Sequence, residues 1–440
     1  MNTFNGWHTR RFTSARTLGS GLCAIFASIL SHAPLMAQTF VSGSTGADGP
    51  MPICSPAPCT ITLQLPPSGI FNFTTVNIPA GVTVKFLRNE GNTPVTILAT
   101  GDVSISSGNI DVTGLAAVSG VPGHGGPGGF DGGMGGTGFG SSPNGTPGLG
   151  PGGGQGGVAG IGTAPGSASG GGFGTQGTAN GAAVPGGQTY GVHTVFPLIG
   201  GSGGGGGAGG PTSSGPAGGG GGGAILIASS GTLTMNVTGV IQGIFANGGN
   251  GALKSVGLAQ NVASGCGSGG AIRLIANSII TNGALLDVRS SCSGGLFAGG
   301  LGRIRVETFQ LTGNFNIAGG APFSQALPQK VLPDNISPSV HIVSIGGVSV
   351  PPTPQATYFN VPDVTLNPNL ANPITVALQA NNVPLGTALA ISVITEGVAT
   401  RATFSSTALT GTLASSSATA NVTLPAGTSV LTATATFVAP

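Results

Sequence analysis

Charge is what this chain of 440 residues has least of: Asp, Glu, Lys and Arg together make up 5% of it. Soluble domains carry roughly 25%. Disordered chains are usually highly charged and poor in apolar residues. A chain with 39% hydrophobic residues is not of that kind. Past Arg16 there remain nine Lys/Arg against ten Asp/Glu, so the body of the chain is close to neutral. No basic stripe runs along it, which excludes nucleic acid as an electrostatic partner.

Aromatic residues are also scarce. There is one Trp and there are two Tyr, and Trp7 lies in an N-terminal leader, so a ring-lined glycan platform has little to be built from. Helical periodicity is absent beyond the leader, and no apolar run there reaches the ~20 residues of a membrane helix. Phosphate loops are missing too: no GK[ST] follows any glycine run. GxGxxG occurs only through glycine density, without a strand–helix context. His124, His193 and His341 stand alone, with no metal-ligand spacing. No cofactor or metal is expected.

The leader has the parts of an export signal. Arg10, Arg11 and Arg16 precede LGSGLCAIFASIL, and SHAPLMAQ follows. A basic stretch, a short apolar run and a small exit residue mark residues 1–37 as a signal peptide cleaved after Ala37. Cleavage leaves no membrane span. It also removes Trp7 and Cys23, so that Cys54, Cys59, Cys266 and Cys292 remain. An even number in an exported chain reads as two disulfides. Cys54–Cys59 would close a small N-terminal loop. Cys266 and Cys292 lie 26 residues apart, about one repeat, so their bridge would staple neighbouring coils.

What the chain has in abundance is glycine, 86 residues of it. More than half lie between residues 115 and 223, just before an abrupt switch to β-like sequence at Ala224. Three phrases then repeat: GAILIASSGTLTMNVTGVIQG from Gly223, GAIRLIANSIITNGALLDVRS from Gly270 and GRIRVETFQLTGNFNIAGG from Gly302. Each is a short apolar strand, a polar or glycine step, and further strands. Such repeats cannot bury their inner faces singly and stack into a solenoid. The expected fold is all-β: a parallel β-helix with long glycine-rich loop insertions, followed by a small β-sandwich.

The expected boundaries are 1–37 signal peptide, 38–69 N-terminal lead-in or cap, 70–345 β-helix with the insertion at 115–223, 346–357 linker, and 358–440 immunoglobulin-like sandwich. Within the insertion Gly120, Gly123, Gly126, Gly129, Gly132, Gly135 and Gly138 hold an every-third register, which fails at Ser141. A floppy loop is the leading reading of this tract. A packed glycine-rich bundle and a collagen-like trimer are the alternatives.

For chemistry, carboxylates come first, because glycoside hydrolysis needs two close together. None cluster in sequence. Asp111 in NIDVTG and Asp287 in LLDVRS occupy matching places in two coils, and Arg289 follows on the same side of its strand. This is the best catalytic trio that can be assembled, and its ordinary alternative is a solvated face with a salt bridge. Phe130, Phe139 and Phe173 in the glycine tract are read as exposed contact residues.

The phrases FNFTTVNIPAGVTVKF, PVTILATGDVSI, GGGGGGAILIASSGTLTMNVTGVIQGIFANGGNG and GGAIRLIAN resemble exported glycine-rich bacterial proteins of acidobacterial and myxobacterial type. The resemblance covers roughly residues 70–320 and implies a right-handed parallel β-helix. The C-terminal part is similar to immunoglobulin-like modules of bacterial surface proteins. The resemblance bears on fold and export; the chain as a whole is read as an exported structural or adhesive protein without catalytic activity, secreted or on the outer cell surface. Its expected partners are extracellular matrix, surface polysaccharide or other copies of itself. The alternatives are a polysaccharide lyase or hydrolase, or a module that binds a surface glycan or protein.

Overall fold

The computed structural model describes residues 39–437, apart from 119, 139–143, 160–165, 211–212, 240, 257–260, 293–295, 332–337 and 356–360. The expected signal peptide and its cleavage point, together with Phe139, lie outside the described residues. Among those described, the structure is almost wholly β, and no helix is long and apolar enough to cross a membrane.

Short strands rich in Val, Ile and Thr form because β-branched side chains suit a pleated, half-buried surface. Before the glycine tract lie β1 (Cys59–Gln64), β2 (Ile70–Phe73), β3 (Val76–Ile78), β4 (Val82–Leu87), β5 (Val95–Ala99), β6 (Val103–Ser106) and β7 (Asn109–Asp111). After it come β8 (Ala224–Asn236), β9 (Gly243–Phe245), β10 (Leu253–Ser255), β11 (Asn261–Ala263) and β12 (Ala271–Thr281). Then follow β13 (Leu285–Asp287), β14 (Arg303–Thr312), β15 (Asn316–Ile317) and β16 (Phe323–Ala326).

These strands build two parallel sheets that the chain visits in alternation. The first has the order β1-β4-β7-β9-β13-β15, and the second β2-β5-β8-β12-β14-β16. β3 and β6 pair in parallel and continue the second sheet onto the far half of β8. The pairing of β8 with β12 shifts register between Ala276 and Ser278, where β8 passes from its β5 half to its β6 half.

Register lines like residues up across the strands. Ile61, Val84, Ile110, Ile244, Leu286 and Ile317 form one ladder. Ile97, Ile227, Leu274 and Val306 form a second, and Val103, Leu233, Ile279 and Leu311 a third. All three face one hydrophobic core. Burying one such side chain is worth about 1.5–3 kcal/mol, and the stack supplies what no single coil has.

The segment after residue 38 is no loose lead-in. Phe40 lies on the outer face of the second sheet with Leu98, Leu226, Ala228 and Ile275, held by a two-way hydrogen bond to the Asn277 amide. β1, within the expected lead-in, pairs with β4 over its whole length. Both expected disulfides are present, Cys54–Cys59 with Cα atoms 6.2 Å apart and Cys266–Cys292 with Cα atoms 5.8 Å apart.

The glycine tract departs most from expectation. It is a packed lattice rather than a floppy loop. In the segment 200–208, Gly201, Gly204 and Gly207 donate to the carbonyls of Gly222, Gly219 and Pro216. Gly203 and Gly206 donate to Leu149 and Thr146, while Gly205 and Ala208 donate to Ser169 and Gly166. These bonds span 2.6–3.1 Å. Each set recurs every third residue and points to a different neighbour, the symmetry of an extended threefold helix. Backbones this close leave no room for a side chain: a Cβ on Gly204 would overlap the carbonyl of Gly265. The physical reason is hydrogen-bond accounting. A buried backbone must pair its N–H and C=O groups, and bare glycine chains do so with one another.

Small side chains enter the lattice itself, where the hydroxyls of Ser169, Ser202 and Ser268 are fully buried and hydrogen-bonded. Phe173 was expected to be exposed, yet it is buried, tilted against Tyr190 with the Arg303 guanidinium 5.7 Å from its ring centre. Tyr190 donates to the Gly200 carbonyl at 2.6 Å. Burial pushes its hydroxyl well above the ordinary phenol range, against the opposing pull of the Ser202 hydrogen bond.

The remaining strands are antiparallel: β17 (Ser339–Ile345), β18 (Val348–Ser349), β19 (Ile374–Asn381), β20 (Ala388–Thr395), β21 (Ala402–Ala408), β22 (Thr410–Thr412), β23 (Ser415–Val422) and β24 (Ser429–Ala435). They form sheets of order β18-β17-β19-β23-β22 and β21-β20-β24 that share a second core around Val376, Leu378, Ile391 and Val422. Ser339–Ile345, placed by sequence at the end of the parallel stack, pairs with β19 instead. Its alternating SVHIVSI lays Val340, Ile342 and Ile345 on the second core. The expected linker begins as a hairpin, with Gly346 and Gly347 at φ 57° and 82°, the left-handed values a tight strand reversal requires. Arg401 ties these strands to the lattice by donating to the carbonyls of Pro151 and Gly148.

Candidate functional site

Register on the first sheet decides where the predicted trio sits. Asp111 and Asp287 both pair with Phe245, one from each side. Lys85 pairs with Asp111. The outward row therefore reads Lys85, Asp111, Phe245, Asp287, with the two carboxylates about 9.5 Å apart by strand spacing. Asp111 accepts an ion pair from Lys85 at 3.0 Å. Asp287 is held by Arg289 through Nε at 2.9 Å and Nη2 at 2.7 Å. The trio thus shares a face, but as two separate ion pairs with a phenylalanine between them. The hydrogen bonds to Asp287, together with its charge, raise the Arg289 guanidinium above its ordinary value.

The row runs into a cleft of about 530 Å³ at its Lys85 end. Lys85 and Asp111 form part of its floor, Leu87 and Leu115 are exposed on its rim, and His124 and Asp131 come from the glycine lattice. Sequence reasoning left His124 isolated and gave Asp131 no part in a site. Here Asp131 is buried, accepts from Arg88 Nη1 and from the Gly125 N–H, and faces His124 Nδ1 at 3.6 Å. Arg88 also donates to the Gly125 carbonyl, so the cluster clamps the lattice turn onto the end of β4.

Burial alone would raise the Asp131 carboxyl. The His124 hydrogen bond, the Arg88 charge and the Gly125 N–H outweigh it and lower the group from 3.8 to about 2. A depressed carboxylate stabilises the fold above its unfolded value and loses that contribution as pH falls through the folded one. The protein should therefore keep its stability above about pH 5 and lose about 2 kcal/mol from this group between about pH 4 and pH 2. Urea unfolding at pH 7, 5 and 3 checks this. Asp131→Asn should be less stable at pH 7 and should lose less than the parent on acidification. An equal loss in both would contradict the assignment.

A second charged cluster was also missed. Glu307 is fully buried between Arg273 and Arg305, which are in register on β12 and β14. Arg273 reaches it through Nε at 3.0 Å and Nη2 at 3.2 Å, Arg305 through Nε at 3.2 Å, and the Gln329 N–H donates to it at 2.9 Å. It joins strands rather than opening onto a cavity. Among the described residues no group of three His, Cys, Asp or Glu is placed to hold a metal ion.

No family model, no curated protein and no solved structure matches the chain.

Proposed function

We propose that the chain is an exported structural or adhesive protein of the bacterial surface. The two alternating parallel sheets are read as faces of a right-handed β-helix, and the antiparallel strands as an immunoglobulin-like module beside it. The glycine lattice is the observation that carries the reading. It turns the most flexible residue type into a stiff, uncharged body tied by hydrogen bonds to the strand stack. A rigid body with loops at its margins presents contacts to matrix, surface glycan or other copies, and glycine-rich backbone locked into hydrogen bonds is a poor protease substrate. Two disulfides suit an oxidising compartment outside the cytosol.

Protease shaving of intact cells, with an antibody to the antiparallel strands, tests the reading. Loss of the antigen from intact cells is expected. Antigen that stays protected until the cells are lysed would contradict it.

A further inference from the structure

We propose that the outer face of the first parallel sheet binds an extended polysaccharide of neutral sugars, laid across the strands along the row Lys85, Asp111 and Phe245 toward the exposed Arg289. The proposal gives the surface reading a ligand class, and rests on that reading only for its biological setting.

Three features of the row fit this ligand. The first is its donor and acceptor pattern. A sugar hydroxyl both donates and accepts, so neighbouring hydroxyls are matched by a cation and a carboxylate side by side. Lys85 with Asp111 at 3.0 Å supplies such a pair, the carboxylate being 22% exposed; at the other end Asp287 is only 3% exposed and is bound by Arg289, so there the Arg289 guanidinium alone offers donors. Both cations are reachable, Lys85 being 50% exposed and Arg289 53%. The second feature is apolar surface. Phe245 lies between the pairs, half-buried and facing outward, as a platform for the C–H face of a sugar ring. Leu87 and Leu115 add exposed apolar surface at the cleft. The third is direction. Successive row positions are about 4.8 Å apart, so an extended chain meets one position after another as it crosses the strands.

Charge balance selects a neutral ligand. Each cation on the row already faces its own carboxylate, so a polyanionic chain gains no net attraction. The cleft of about 530 Å³ holds one end of the chain and lies within the size range of small-ligand sites.

The test is calorimetric titration of the full chain with cellohexaose, chitohexaose, xylohexaose and maltohexaose, with hexagalacturonate as the charged comparator. At least one neutral hexasaccharide should bind. Phe245→Ala and Lys85→Met should each weaken it at least about ten-fold. Lys254→Ala, at a half-buried lysine away from the row, should leave it unchanged. Lys85 is exposed, so its variant keeps the comparison valid if Phe245→Ala fails to fold. The proposal is overturned if no neutral hexasaccharide binds, if only hexagalacturonate does, or if binding survives both row substitutions. Cell shaving decides the surface reading independently of any of these results.

Discussion

Gly204→Ala is expected to lower the stability of the protein by about 4 kcal/mol: about 2 from overpacking and about 1 for each of two displaced hydrogen bonds. Gly204 donates to Gly219 at 2.9 Å and accepts from Gly133 at 2.8 Å. Its missing side chain points at the carbonyls of Gly265 and Cys266, which are backbone and cannot swing aside. The strain would spread, because Gly265 itself donates to Gly205 and accepts from Gly219. Gly91→Ala is the control. A Cβ there meets nothing closer than Thr93 Cγ2 at 3.7 Å, so a change within about 0.5 kcal/mol is expected. Urea unfolding of the two variants beside the parent reads both effects. Equal stabilities would mean that the tract is not packed.

Glu307→Ala should cost about 4 kcal/mol, since removing one partner of a buried ion pair strands the other. Arg273 and Arg305 are 2% and 5% exposed, and Glu307 is the only carboxylate bonded to either among the described residues. Replacing the whole cluster by apolar residues, as Arg273→Leu, Arg305→Met and Glu307→Leu together, should recover most of the loss, because no charge is then left buried. Thermal unfolding of the single and triple variants separates the two cases. A triple variant no better than Glu307→Ala would show that the cluster stabilises by more than mutual neutralisation.

Much of the strand architecture is legible in the chain, because apolar alternation survives in each repeated phrase. NIDVTG and LLDVRS match, and the register does place Asp111 and Asp287 on one row. The partner between them was also readable: GIFANGG is a third phrase of the same form and carries Phe245 at the matching position. Arg273 and Arg305 likewise stand at matching positions in AIRLIA and RIRVE, but nothing in a short strand says that its outer face will be covered.

The lattice is another matter. Glycine has no side chain to set a period, and the neighbours of segment 200–208 come from six separate stretches, 128–136, 146–149, 154–157, 166–169, 216–222 and 265–268. Their pairing depends on backbone geometry alone. The Arg88–Asp131–His124 cluster hangs on that pairing, since Arg88 and Asp131 lie 43 residues apart and meet only after the tract has folded back. Side-chain pattern reports the sheets well and the glycine body hardly at all.

Hydrogen–deuterium exchange of the intact protein, followed by mass spectrometry over residues 200–208 and 215–223, tests the central claim most directly. The lattice predicts that these amides exchange as slowly as those of β8 and β12, because both belong to the hydrogen-bonded interior. Exchange at the rate of an unstructured glycine peptide, with β8 and β12 still protected, would contradict it.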